Sequence, residues 1–231
     1  VTTRHESPAK QGMYDPQFEH DACGIGFVVN IKGKKSHEIV SQSLEVLNNL
    51  NHRGACGCEA NTGDGAGVLI QLPHAFLVKV AAKEKIRLPE PGSYGVAMMF
   101  FPQDPASREA AEKGFEKLVA EEEQVFLGWR TVPTNNSALG LTARAGEPAI
   151  RQAFIARGTN KKFADAAGFE RALYLIRKRA EHSIKFPNEN GSNRFYIPSL
   201  SSRTIVYKGM LLASQMEDYY PELRDPDMVS S

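Results

Sequence analysis

The sequence lacks the long apolar runs that place proteins in or across membranes. No apolar run approaches the roughly 20 residues that a bilayer-spanning helix needs. Residues 1–22 are polar and of mixed charge, without the apolar core of a secretory signal. We therefore expect a cytoplasmic protein that has no membrane partner.

An excess of one charge sign is also missing. The chain has 28 basic and 27 acidic residues, which leaves a formal net charge of +1. A protein this close to neutrality has no overall field that would attract nucleic acid. We expect no nucleic-acid partner.

Cysteine is scarce, with three residues in the chain: Cys23, Cys56 and Cys58. An odd and small number of cysteines argues against a disulfide framework. Cys56 and Cys58 could provide two metal ligands, but structural zinc requires four, and no histidine pair at ligand spacing completes the set. We therefore expect no metal site, and three cysteines also cannot hold an iron–sulfur cluster in the usual way.

Predicted strands and helices follow one another along the 231 residues of the chain. Apolar, β-branched and alternating runs predict strands at 24–31, 68–72, 94–101, 125–132, 150–156, 195–200 and 204–207. Helical spacing and capping residues predict helices at 36–52, 74–86, 104–123, 165–184 and 210–220. Some strands follow one another without an intervening helix, and the strands at 195–200 and 204–207 are expected to form a pair or ladder. This order favours an α+β sandwich over a doubly wound sheet.

Cys23 is the first candidate for chemistry, because it stands directly before the predicted strand Gly24–Ile31. The glycines at positions 24 and 26 would let a ligand approach the backbone closely. Taken alone, a cysteine next to glycine is more often a packed side chain than a nucleophile.

The second candidate is Arg53, in the segment LNHRGA that closes the first predicted helix. One interpretation is a helix C-terminus at which His52 and Arg53 offset the negative end of the helix dipole and Gly54 ends the helix. The other interpretation places the arginine beside the thiol. Spacing alone favours the first.

The third feature is the glycine-rich turn Thr62–Gly67, with the sequence TGDGAG. Phosphate-binding loops follow a strand and open a helix, whereas this turn precedes a strand and has no lysine after its last glycine. We therefore expect no nucleotide site here, and we interpret Asp64 as a structural turn residue.

Four segments in this order resemble the large subunit of the glutamate synthase family. They are EHDACGIGF at 19–27, LNHRGA at 50–55, TGDGAGVLIQLPHAF at 62–76 and SLSSRTIVYKGMLLASQM at 199–216. The resemblance extends from Gly12 to Leu223. It implies a class II glutamine amidotransferase domain with the N-terminal-nucleophile hydrolase fold, a four-layer αββα sandwich of two antiparallel sheets, incomplete at the C-terminus.

The resemblance also implies roles for residues. Val1–Ala22 match a leader that is removed, residues 23–231 match the amidotransferase domain, Cys23 matches the nucleophile, and Arg53 matches an arginine that binds substrate beside it. The free α-amino group of a processed Cys23 would have a pKa of about 7.7–8.0 and could accept the thiol proton. An uncut chain should be inactive, because an amide nitrogen is not basic.

In the family, an Asn-Gly pair downstream of the SRTIVYKG segment forms the oxyanion hole. The pair Asn190–Gly191 lies upstream of that segment, so we do not assign it to this role. We therefore expect the chain to be a truncated and inactive fragment with an exposed sheet edge that favours aggregation.

The function implied by the resemblance is hydrolysis of L-glutamine to glutamate and ammonia. Other domains of the family's enzymes combine the ammonia with 2-oxoglutarate, using FMN and an iron–sulfur cluster. The implied partners are the rest of the large subunit and either a small electron-donor subunit or ferredoxin. This segment is expected to bind no cofactor.

Two other interpretations remain open at this stage. One is a non-catalytic regulatory or scaffolding fragment of the same fold, which the missing Asn-Gly pair favours. The other is a conventional cysteine hydrolase in which His20, His52 or His74 is the base. A single histidine, however, is more often a surface or packing residue.

Overall fold

The computed structural model describes residues 24–51, 59–159, 165–187 and 193–231. Its helices and strands agree closely with the periodicity of the sequence. The helices are α1 (His37–Asn49), α2 (His74–Lys83), α3 (Pro105–Glu121), α4 (Leu141–Ala145), α5 (Ala166–Ser183) and α6 (Met216–Tyr219), with 3₁₀ turns at Ala213–Gln215 and Pro221–Arg224. The strands are β1 (Ala66–Gln71), β2 (Tyr94–Phe101), β3 (Val125–Thr131), β4 (Ala149–Ala156), β5 (Tyr196–Ser201) and β6 (Thr204–Gly209).

The strands form two antiparallel sheets in the described part of the chain. The larger sheet has the order β3-β4-β2-β5, and the smaller one pairs β1 with β6. In the smaller sheet Ala66 lies opposite Gly209 and Gln71 lies opposite Thr204. The antiparallel pairing and the mixture of elements confirm the predicted α+β sandwich.

Two apolar cores account for the layering. Helices α3 and α5 cover one face of the larger sheet, where Phe115, Phe169 and Leu173 are fully buried. The other face packs towards the smaller sheet, and this second core contains Val96, Phe154 and Ile205. Helix α1 packs against β1. The layers therefore follow the order helix, sheet, sheet, helix.

Capping residues set where the long helices begin. The carboxylate of Asp104 accepts a hydrogen bond from the Ser107 amide at 2.8 Å, and Pro105 opens α3. The hydrogen bonds that the Asp104 carboxylate accepts, chiefly those from Ser107, hold the pKa of this carboxyl group below its ordinary value. The carboxylate of Asp165 caps α5 in the same way through the Gly168 amide. Both starts agree with the prediction from sequence.

A buried polar network connects the two sheets through the second core. The guanidinium group of Arg130 on β3 forms a salt bridge with Glu222, and both side chains are about 5% exposed. Arg130 also donates to the Gln152 side chain on β4 at 2.7 Å, and the Tyr207 hydroxyl on β6 donates to Glu222 at 2.7 Å. Burial, followed by the charge of Glu222, raises the pKa of Tyr207, so its phenol stays protonated and donates.

The predicted strand at Gly24–Ile31 is wrong. Residues 24–30 have no regular secondary structure, and the side chains of Ile25, Phe27 and Ile31 are 93%, 88% and 98% exposed. The apolar composition is that of a strand, but a strand also needs a hydrogen-bonding neighbour. No strand in the described part of the chain pairs with this segment.

Two further details differ from the sequence prediction. Strands β5 and β6 do not pair with each other, because β5 pairs with β2 and β6 pairs with β1. The predicted helix at 210–220 is a 3₁₀ turn followed by the short α6, so only part of it is helical. The short α4 was not predicted.

Within the residues that the structure describes, every helix is too short or too polar to cross a bilayer.

Candidate functional site

A cavity of about 370 Å³ lies beside the segment that follows Cys23 in the sequence. Residues 24–28 form one wall, and the C-terminal half of α1 forms a second wall with Val46, Leu47 and Leu50. Residues 67–69 of β1 complete the lining. The cavity therefore lies where three segments that are separate in the sequence meet.

Helix α1 changes its environment along its length. Ile39, Val40 and Leu44 are buried in the first half of the helix. Val46 and Leu47 continue the same apolar face but are only half-buried, because they face the cavity. The helical spacing predicts which side of α1 is apolar. It does not reveal that the C-terminal part of this side lies outside the core and lines a cavity.

Gly26 sets the distance between the cavity's first wall and α1. A Cβ atom at this position would lie 2.5 Å from Cγ1 of Val46, closer than two carbon atoms can approach. A glycine therefore allows the segment to lie directly against the helix.

The glycines of the turn 62–67 serve close packing. A Cβ atom at Gly63 would overlap the backbone carbonyl of Leu211, and one at Gly67 would lie 2.8 Å from the Lys208 Cβ. Gly65 has a φ of +144°, a conformation that favours glycine. The turn thus brings β1 against β6 and places Gly67 at the cavity.

The described side chains that line the cavity are almost entirely apolar. None of the lining residues that the structure describes is ionisable. The hydroxyl of Ser43 donates to the Ile39 carbonyl at 2.7 Å within α1, so it is already engaged. Chemistry at this cavity therefore requires groups from the neighbouring residues of the chain.

The predicted site residues themselves lie outside the described residues. Cys23 directly precedes Gly24, and Arg53 follows Leu50 by three positions, so each lies close in sequence to a residue that lines the cavity. The alternative bases His20 and His52, the cysteines 56 and 58, and the pair Asn190–Gly191 also fall outside the described residues.

His74 is the one alternative base that the structure describes. Its Nδ1 atom lies 2.9 Å from the Tyr94 hydroxyl, and its side chain lines a different cavity from the one beside Gly24. Across the described ranges, no group of three or more His, Cys, Asp or Glu residues could hold a metal ion.

Comparison with known proteins identifies the family of the chain. Residues 23–231 match the model of the class-II glutamine amidotransferases. The large chain of NADPH glutamate synthase from Bacillus subtilis is 46% identical over 99% of this chain. NADH glutamate synthase from Saccharomyces cerevisiae is 40% identical over 94% of the chain, and ferredoxin-dependent glutamate synthase 2 from Synechocystis is 35% identical over 92%.

These relatives are much longer than the matched region. The chain spans 14%, 10% and 13% of the length of the three relatives, respectively. The family model nevertheless covers the cavity-lining segments 24–28, 43–50 and 67–69 together. With its antiparallel α+β sandwich and this match, the chain belongs to the class-II glutamine amidotransferases.

Proposed function

We propose that this chain hydrolyses the side-chain amide of L-glutamine with Cys23 as the nucleophile, as part of a glutamate synthase. One observation carries the proposal: the cavity of about 370 Å³ is lined by residues that lie within three positions of each predicted site residue. Gly24 follows Cys23, and Leu50 precedes Arg53 by three positions. Family membership supplies the reaction class.

The proposed reaction begins with proton transfer from the Cys23 thiol to its own α-amino group, which is free once residues 1–22 have been removed. The thiolate attacks the amide carbonyl carbon, and the carbon–nitrogen bond breaks. The α-ammonium group returns its proton to the leaving ammonia. Water then hydrolyses the thioester, which releases glutamate and restores the thiol. Arg53 is proposed to bind the substrate beside the thiol.

The apolar walls favour this chemistry in two ways. Val46, Leu47 and Val68 keep water away from one side of the cavity, which strengthens electrostatic interactions within it. The absence of ionisable side chains from the described walls leaves the α-amino group as the proposed base, without a competing carboxylate.

The ammonia is proposed to pass to other parts of a larger protein. The relatives are glutamate synthases of which this chain spans 14% or less in the three comparisons above. By analogy, the remainder would combine ammonia with 2-oxoglutarate in a reductive step that uses FMN and an iron–sulfur cluster. Electrons would come from a small electron-donor subunit or from ferredoxin.

The intact mass of the purified protein at its full natural length tests the proposal, before and after exposure to a glutamine-like diazoketone that alkylates the nucleophile. We expect loss of residues 1–22 and one adduct on Cys23. A Cys23→Ser variant should take up no label, whereas Cys56→Ser and Cys58→Ser, the matched controls, should be labelled normally.

Two results would contradict the proposal. An uncut, unlabelled chain at full natural length would favour the non-catalytic alternative. Label on Cys56 or Cys58 in place of Cys23 would contradict the assignment of Cys23 as the nucleophile.

A further inference from the structure

A second cavity, of about 530 Å³, lies at the opposite end of β1 from the cavity beside Gly24. It is lined by the end of β1 and the start of α2, the Pro91–Gly92 turn, Lys35, and residues 202–204 between β5 and β6. It shares no lining residue with the cavity beside Gly24. Nothing in the proposed hydrolysis uses it.

The charges around this second cavity all have the same sign. Lys35, His74 and Arg203 line it, and no lining residue is acidic. Neither Lys35 nor Arg203 forms an ion pair with any residue in the described part of the chain. Two unpaired cations on one cavity favour an anionic ligand.

The polar groups behind the cations do not neutralise them. Burial raises the pKa of Tyr94, so its phenol stays uncharged, and its hydroxyl group lies 2.9 Å from Nδ1 of His74. This contact leaves Nε2 of His74 for a ligand. The carboxylate of Glu170 accepts hydrogen bonds from the Ser202 amide and the Ser201 hydroxyl, but Glu170 does not line the cavity.

Part of the cavity's surface is apolar, because Leu72 and Pro91 line it beside uncharged polar residues such as Gln71 and Thr204. Leu72 is buried and Pro91 is exposed. A volume of about 530 Å³ exceeds the space needed by a bare inorganic ion and is typical of sites for small organic molecules. The ligand should therefore combine an anionic group with an apolar part.

We propose that this cavity binds a small organic molecule through a phosphate group held by Arg203 and Lys35. A phosphate monoester carries a charge of about −1.5 to −2 at neutral pH, which matches two cations better than a single carboxylate does. The guanidinium fork of Arg203 suits two phosphate oxygens, and Lys35 adds a point charge. Leu72 and Pro91 contact the organic part.

Calorimetric titration with phenyl phosphate at constant ionic strength tests this site. We expect phenyl phosphate to bind more tightly than inorganic phosphate, because its ring reaches the apolar wall. Arg203→Gln and Lys35→Gln should each weaken binding by about tenfold or more, the usual contribution of a hydrogen bond to a charged group. Lys34→Gln is the matched control, since Lys34 is exposed next to Lys35 but does not line the cavity.

Several outcomes would overturn the proposal. One is the absence of measurable binding, and another is equal weakening by Lys34→Gln and Lys35→Gln, which would indicate diffuse charge attraction. Unchanged affinity in Arg203→Gln would also overturn it. The side chains of Lys35 and Arg203 are exposed, so the variants should keep the native circular dichroism spectrum. A Cys23→Ser variant should bind phenyl phosphate normally, which separates this site from the proposed hydrolysis.

Discussion

At position 26, the absence of a side chain determines how closely the segment that follows Cys23 approaches α1. The contact partner is Val46, whose β-branched side chain has few alternative rotamers and cannot easily move aside. Gly26 has no left-handed backbone conformation, so its role is steric. The proposed nucleophile is only three positions away along the chain.

The substitution Gly26→Ala should therefore reduce activity more than stability. The added methyl group would push the exposed segment away from α1, and a displacement of about 1 Å at a reacting group can cost about 100-fold in rate. We expect glutamine hydrolysis to fall by about 10- to 100-fold, measured as glutamate release. Urea unfolding should change little, because residues 24–27 are exposed.

A double variant tests the steric cause directly. Gly26→Ala combined with Val46→Ala removes the clashing methyl group and should restore most of the lost activity. Gly146→Ala is the control, since a Cβ atom there would meet nothing closer than 3.7 Å. If the double variant is no more active than Gly26→Ala alone, the contact with Val46 does not position the segment.

Among the elements, glycines in two places should respond to alanine in opposite ways. Gly63 is buried against the backbone of Leu211, which cannot yield as a flexible side chain would. Gly114 lies inside α3, where a Cβ atom would make an ordinary contact at 3.4 Å with Ile184. Comparing the stabilities of the two alanine variants distinguishes the effect of close packing from the effect of helix propensity.

We expect Gly63→Ala to lower the free energy of unfolding by about 1–3 kcal/mol, as overpacking typically does. Gly114→Ala should raise it by about 0.5–1 kcal/mol, since alanine is the better helix former. Urea denaturation of both variants measures the difference. If Gly63→Ala leaves the free energy of unfolding unchanged, the turn 62–67 can move away from Leu211 without loss of stability.

The elements also show where reasoning from sequence succeeds. The bounds of β2 and α5 follow from local signals: a compact apolar run in β2, and a cap at Asp165 followed by helical spacing in α5. The segment Gly24–Ile31 has equally strong local signals but forms no strand, because pairing depends on a neighbour far away in sequence. The two-residue connection between β5 and β6 resembles a hairpin, yet the chain passes there from one sheet to the other.

The same limit applies to the candidate site. The ordered motifs make Cys23 and Arg53 the candidate site residues, whereas spacing alone leaves the role of each ambiguous. The cavity that their neighbours share depends on α1 lying against β1, a contact that no local pattern encodes. The second cavity is harder still to predict, because Lys35, His74 and Arg203 come from three distant parts of the sequence.

On the scale of the whole molecule, the Arg130–Glu222 pair connects the larger sheet to the segment after β6. Both charges are buried, so removing one leaves the other without compensation. The variant Glu222→Ala also removes the acceptor of the Tyr207 hydroxyl. We expect it to lower the free energy of unfolding by about 3–5 kcal/mol, measured by urea denaturation.

The double variant Arg130→Met/Glu222→Leu should be more stable than Glu222→Ala, because it replaces both charges with apolar side chains. The control is Asp218→Ala, which removes the exposed ion pair with Arg224 and should cost less than about 1 kcal/mol. Equal losses for Glu222→Ala and Asp218→Ala would show that the buried pair contributes no more than a surface pair.

The buried network also has a consequence for how the sequence can evolve. Arg130, Gln152, Tyr207 and Glu222 satisfy one another's hydrogen bonds, so the effect of changing one depends on the identity of the others. A lineage that replaced them one at a time would pass through poorly folded intermediates, even if the final combination were stable. Natural variation should therefore preserve or exchange these four positions together, and directed evolution would need libraries that randomise them simultaneously.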